Sequence, residues 1–293
     1  MKRKLIALSF LIILVSCLQR NEKKNTSTSA IDTLKTKIVK KEKERLENRK
    51  KNLEENKRDS LELDKILKQA VKISTQNITK SKFHKEYEIK TNNEYIVKVE
   101  INLENHFTKF YPHLIIRRRG PNTVYIDIYS KNKATFKKVL SHDQWALTYV
   151  NDTIRDINGD GLNDFVVNWY GASGCCLKAF SNIYLLRQDR KSFSRNFEFI
   201  NPTFSPKERI IRGVCYGHPG ENEMYKYKWN KETVDTLEYI SYEKNKKGVK
   251  TGKIIITKKI PRGNKYEITK RINAVPNEYK KVDGFDWFTG KLL

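Results

Sequence analysis

The sequence predicts an all-β domain of about ten strands, either propeller-like or built as a sandwich or barrel, carried on a charged helical stalk. Three observations predict it. Beyond about Lys80, apolar residues recur with period two. Clusters of Gly, Asn, Asp and Pro cut these runs at short intervals. Before them, residues 31–75 are rich in Lys, Glu, Leu and Asn and contain no Gly or Pro, which is helical composition.

Residues 1–16, "MKRKLIALSFLIILVS", carry three basic residues and then an apolar run from Leu5 to Val15. That run is too short to span a bilayer and has the flanks of a secretory signal peptide. The last three of these residues and the cysteine after them, "LVSC", resemble a bacterial lipobox. The resemblance implies lipid on Cys17 and a mature protein anchored in the bacterial cell envelope. Leu18, with no acidic cluster after Cys17, favours an anchor that faces the periplasm.

Residues 17–30 read as a flexible tether, polar and rich in Ser and Thr. Over residues 31–75, Glu47 with Lys51, Glu54 with Arg58, and Asp64 with Lys68 are i,i+4 pairs that support an exposed helix. Leu46 and Leu53 supply about one apolar residue per heptad, too thin a seam for a coiled coil. A single stalk of some forty helical residues would reach roughly 60 Å.

The net charge is +25, a balance that ordinarily points to nucleic acid. Export removes that partner. It leaves the anions of the envelope: lipid head groups, lipopolysaccharide, cell-wall stem peptides and acidic exported proteins.

In the predicted β domain, residues 80–293, "EYEIKTNNEYIVKVEINL" and "HLIIRRRGPNTVYIDIYS" read as hairpins. "QWALTYV", "DFVVNWY", "SNIYLLRQ", "NFEFINP", "EMYKYKW", "KIIITKKI" and "KYEITKRI" read as further strands. The tail, with Phe285, Trp287 and Phe288, reads as a closing strand or plug on the core.

The most specific segment is "DINGDGLNDFVVNWYG", which begins at Asp156. As a calcium loop it would offer the side chains of Asp156, Asn158, Asp160 and Asp164 and the carbonyl of Leu162, with Gly159 and Gly161 allowing the turn. The donors are all oxygen, which suits Ca2+ and gives zinc no thiolate or imidazole. An EF-hand needs Glu at the twelfth position and a helix after it; here Val167 and a strand follow. The loop instead resembles the calcium loops of FG-GAP and VCBS repeats, which join strands in propeller blades. The run from Asp156 to Ile240 also resembles exported proteins with one such loop, a family that includes periplasmic immunity lipoproteins. The matching segments are Asn182 to Leu185, Phe204 to Ile211, Gly217 to Gly220, and Tyr227 to Trp229. Members of that family neutralise a cell-wall hydrolase by protein contact.

Cys175, Cys176 and Cys215 remain after Cys17. In an exported chain they are disulfide candidates, Cys215 pairing with one of the other two. Cys215 and His218 also form a C-x-x-H that could join Cys175 or Cys176 on zinc, or supply a thiol nucleophile and its base. Arg117 and Arg119 share one face of a strand and form a candidate anion patch. The resulting expectation is a non-catalytic envelope lipoprotein whose calcium-stabilised β domain binds another exported protein or cell-wall material, as an inhibitor or immunity protein. The alternative is a calcium-stabilised hydrolase acting on envelope glycan or peptide.

Overall fold

The computed structural model describes residues 27–261 and 266–291. The expected signal peptide and Cys17 lie outside the described residues. The first helix, α1, spans Ser27–Gln76, so it begins inside the stretch expected to be a tether. No Gly or Pro separates Ser27 from Ile31, and Ser and Thr are accepted at helix starts. The chain divides into two units at Arg58. Within the first, Val39, Leu46 and Leu53 are exposed, and Glu42–Arg45 and Lys51–Glu55 pair at 3.8 and 4.0 Å.

The second unit, Asp59–Leu293, begins with the remainder of α1 and continues as three antiparallel meanders. The first sheet runs in chain order through β1 (Phe83–Lys90), β2 (Ile96–Glu104), β3 (His113–Arg119), β4 (Thr123–Asn132) and β5 (Thr135–Trp145). The second contains β6 (Tyr149–Arg155), β7 (Asp164–Tyr170), β8 (Ala179–Tyr184) and β9 (Phe197–Ile200). The third holds β10 (Pro202–Ser205), β11 (Ile210–Val214), β12 (Met224–Asn230), β13 (Thr233–Lys244), β14 (Lys250–Thr257) and β15 (Ile268–Ile272). None of the three closes into a barrel, and together they do not form a propeller.

The sheets stack, and strand alternation decides which side chain enters which layer. Val97, Val99, Ile101, Leu103, Leu114 and Ile116 pack on Ile66, Ala70 and their neighbours from α1. The opposite face of that sheet sends Ile115, Ile126 and Ile128 against Phe165 and Val167 of β7. Val166 and Ile183, facing the other way, join Ile211, Tyr225 and Trp229. The outer face of the third sheet, with Val214, Met224 and Ile240, is covered by Tyr279, Val282 and Phe288. Phe288 lies in a short helix, α2 (Phe285–Thr289), so the tail is a plug rather than a strand. Arg212 and Lys226 both pair with Glu278 and fasten it.

The described strands number fifteen, against about ten expected. A bulge between Ile128 and Tyr129 shifts the register with β5, and β5 itself reads "TFKKVLSHDQW" without clean alternation. The expected strand "QWALTYV" is in fact a tight turn: the Thr148 N–H donates to the Trp145 carbonyl at 3.0 Å, ending β5 before β6 begins.

The arginines at the end of β3 are structural. Arg117 donates to both oxygens of Asp152 on β6, at 2.8 and 2.5 Å, and to Glu100 at 2.9 Å. Arg118, on the opposite face, donates to the Leu63 carbonyl and to buried Asp127, both at 2.8 Å. Arg119 alone of the three is exposed, 3.9 Å from Glu100. The expected anion patch therefore loses Arg117, whose charge is spent between the first two sheets.

Burial pushes the Asp152 carboxyl up, but hydrogen bonds and charge from Arg117 outweigh it and hold it below the ordinary 3.8. Its stabilising effect is thus present above that value and lost as pH falls through the lower folded one. Asp152→Asn should cost about 3 kcal/mol in urea unfolding at neutral pH, because Arg117 keeps only Glu100 as a counter-charge. The difference from wild type should shrink as the solution is taken below about pH 4.

Candidate functional site

The loop Asp156–Asp164 connects β6 to β7 and is anchored in both cores that flank the middle sheet. Ile157 packs in the layer shared with the third sheet and Leu162 in the layer shared with the first. Asp164 ties the loop shut. It is fully buried, and its two oxygens accept the N–H of Ile157 at 3.0 Å and of Leu186 at 2.9 Å. Asp156 accepts from Gly159 at 2.7 Å and Gly161 at 2.9 Å; Asn158 and Asp160 each accept an N–H two residues on. Gly159 has φ 75°, and a Cβ there would lie 2.0 Å from the Pro206 carbonyl oxygen, so no other residue fits.

Burial, then the charges of Asp160 and Asp156, push the Asp164 carboxyl up to about 7. The loop's donors are hard oxygens, the type that Ca2+ takes in preference to softer ligands. The carboxylates do not close on one point. Among the described residues, only Cys175, Cys176 and His218 bring three His, Cys, Asp or Glu ligand atoms within 4.8 Å of one another.

Beside the loop opens a cleft of about 350 Å³ lined by Asp160, Arg187, Arg209, Trp229, Lys231 and Glu232. Arg187 is held by Glu232 through two bonds, at 2.7 and 3.0 Å. Arg209 and Lys231 are exposed and make no ion pair among the described residues. Both occupy the left-handed backbone region, with φ 56° and 53°, which costs a non-glycine residue about 1 kcal/mol. Trp229 is 4% exposed, and its indole nitrogen is buried without a hydrogen-bond partner. Its backbone N–H donates to the Arg209 carbonyl at 2.9 Å, which sets the guanidinium-bearing residue beside the indole.

No disulfide joins Cys215 to Cys175 or Cys176. Val214 faces the outer layer of the third sheet and Cys215 the inner one. The next side chain, Tyr216, lies beside the Cys176 thiol, and His218 Nδ1 lies 3.8 Å from Cys175 Sγ. The C-x-x-H thus splits: His218 meets both adjacent cysteines, and Cys215 turns into the core. The other histidine near a strand end, His142, is engaged with the Tyr184 hydroxyl at 2.7 Å.

Sequence reading singled out the loop and the cysteines but passed over the cleft. Arg209 and Lys231 carried no signal, because neither is a residue type that marks a left-handed position. No family model, curated protein or solved structure matches the chain.

Asp164→Ala should leave two buried N–H groups without an acceptor and lower stability by about 1–3 kcal/mol for each, as read by chemical unfolding. Asp160→Ala, on an exposed side chain, should cost far less in calcium-free solution.

Proposed function

We propose that the β unit is a binding module of the bacterial envelope, lipid-anchored through Cys17, facing the periplasm and carried on α1. It takes an acidic group of another exported protein or of cell-wall material into the cleft beside the Asp156–Asp164 loop. The observation that carries this reading is the pair of unpaired cations, Arg209 and Lys231, held in left-handed backbone beside a buried aromatic wall. The backbone is set by local turns, Arg209 capping the 3-10 turn Pro206–Glu208 and Lys231 lying in the two-residue turn between β12 and β13, and these turns place both cations at the cleft. Two cations without counter-charges next to Trp229 suit a carboxylate on an apolar stem.

Calcium, in this reading, is a structural ion held by Asp156, Asn158, Asp160, Leu162 and Asp164. It would offset the carboxylate charge of the loop and stiffen the rim of the cleft, since Asp160 belongs to both. Inhibition or immunity by protein contact follows as the role of such a module.

Two measurements test it. In thermal melts, calcium should raise the midpoint of the wild type and not of Asp160→Ala; equal midpoints with calcium and with chelator in both would remove the ion from the account. Arg209→Gly and Lys231→Gly should keep or raise stability, by up to about 1 kcal/mol each, because glycine relieves the left-handed strain. Both should nonetheless lose a partner that the wild type retains from envelope extract or from cell-wall fragments. Identical retention by wild type and both variants would sink the cleft as the binding site.

A further inference from the structure

We propose that Cys175, Cys176 and His218 form a binding site for a thiophilic d10 cation, with Cu+ preferred to Zn2+. The site does not depend on the oxygen-lined loop or on the cleft.

Neighbouring residues on a strand point to opposite faces, so adjacent cysteines converge only where the chain bends. Here it bends continuously over residues 172–176, between β7 and β8, and Gly174 takes φ 92° immediately before the pair. The result is two sulfurs and an imidazole nitrogen within 4.8 Å of one another. The third ligand comes from a separate connection, between β11 and β12, which is itself held down. Trp287 Nε1 donates to the Gly217 carbonyl at 2.9 Å, and the Gly220 N–H donates to the Trp287 carbonyl at 2.8 Å. Asn222 donates to the Cys215 carbonyl at 2.9 Å at the base of the same turn. His218 is therefore positioned by bonds on both sides of it, and Cys176 is buried while Cys175 and His218 stay open to solvent.

Two thiolates and an imidazole are soft to borderline donors and select Cu+ or Zn2+ over Ca2+ or Mg2+. Zn2+ is completed by four ligands, whereas the cluster offers three. Charge points the same way. Lys178 folds back over the bend, so that a Cβ on Gly174 would meet its ammonium at 2.7 Å. Its ammonium also lies 5.5 Å from the ring of Tyr216. Two thiolates, one Cu+ and one ammonium sum to zero, and Zn2+ would leave an excess positive charge. Binding releases the two thiol protons to solvent, so uptake strengthens as pH rises.

The test uses the full chain, reduced and metal-free, titrated under anaerobic conditions with Cu+ against a chromophoric Cu+ chelator and separately with Zn2+ alone. The wild type should take up one Cu+ per chain in competition with the chelator and hold Zn2+ less tightly. Cys175→Ser and His218→Gln alter exposed side chains and should leave the melt unchanged. Each should weaken Cu+ binding by more than the about 10–100-fold that follows loss of a group merely orienting a ligand. Asp160→Ala should bind Cu+ as the wild type does, which separates failure here from failure of the calcium loop. Three results would overturn the site. One is Cu+ uptake undiminished in Cys175→Ser and His218→Gln. Another is no uptake by a chain whose thiols titrate as reduced. The third is a Cys175–Cys176 disulfide in protein exported by cells.

Discussion

The middle sheet is covered on both faces where β7 meets β8, and the rest of the unit follows from that. Phe165 and Val167 enter one core and Val166 and Ile183 the other, so three consecutive residues of β7, Phe165 to Val167, are apolar. Polar groups inside such a layer must find partners within the protein, because an unpaired one costs about 1–3 kcal/mol. They form two chains across the strands. Ser181 donates to Asn168, Asn168 to Asn151, Trp169 to Asn182, and Asn182 to Glu198. Asp164 performs the same task for two backbone N–H groups at the start of β7. A carboxylate that sequence reading assigned to an ion is thus also the clasp between the loop and the neighbouring strand.

Two chemically opposed donor sets flank that strand. The oxygen-rich loop precedes β7, and the sulfur and imidazole cluster follows it. A strand of seven residues separates its ends by about 20 Å, far enough that charge at one end is largely screened from the other. Hard and soft cations therefore have no common ligand to compete for.

Much of this was legible because local rules coincide with global ones. The hairpins around "TNNE" and "RGPN" keep period two on both strands and fold as read. The long helix is set by composition. The legible part stops where partners are distant in sequence. Arg117 looks like a solvated charge at a hairpin tip until Asp152, thirty-five residues on, is brought against it by sheet stacking. Cys215 and one of Cys175 and Cys176 look like a disulfide until strand alternation sends Cys215 inward and leaves Tyr216 and His218 facing the adjacent pair. A bulge at Ile128 hides β5, since one extra residue reverses the apparent alternation. Left-handed arginine and lysine cannot be seen at all in a sequence, because the conformation is imposed by the turn that holds them.

The plug formed by Tyr279, Val282 and Phe288 has a consequence in time. Each meander is built from neighbours in the chain and can pair as soon as its own strands exist. The helix that covers the first sheet is made before that sheet, so its apolar face is sheltered from the outset. The third sheet has no such advantage: Val214, Met224 and Ile240 stay uncovered until residues 279–288 are synthesised. For that interval the nascent chain presents a sticky surface, the kind that aggregates or recruits chaperones. Truncation before residue 279 would therefore leave that surface bare for good, although every strand of the sheet would still be present.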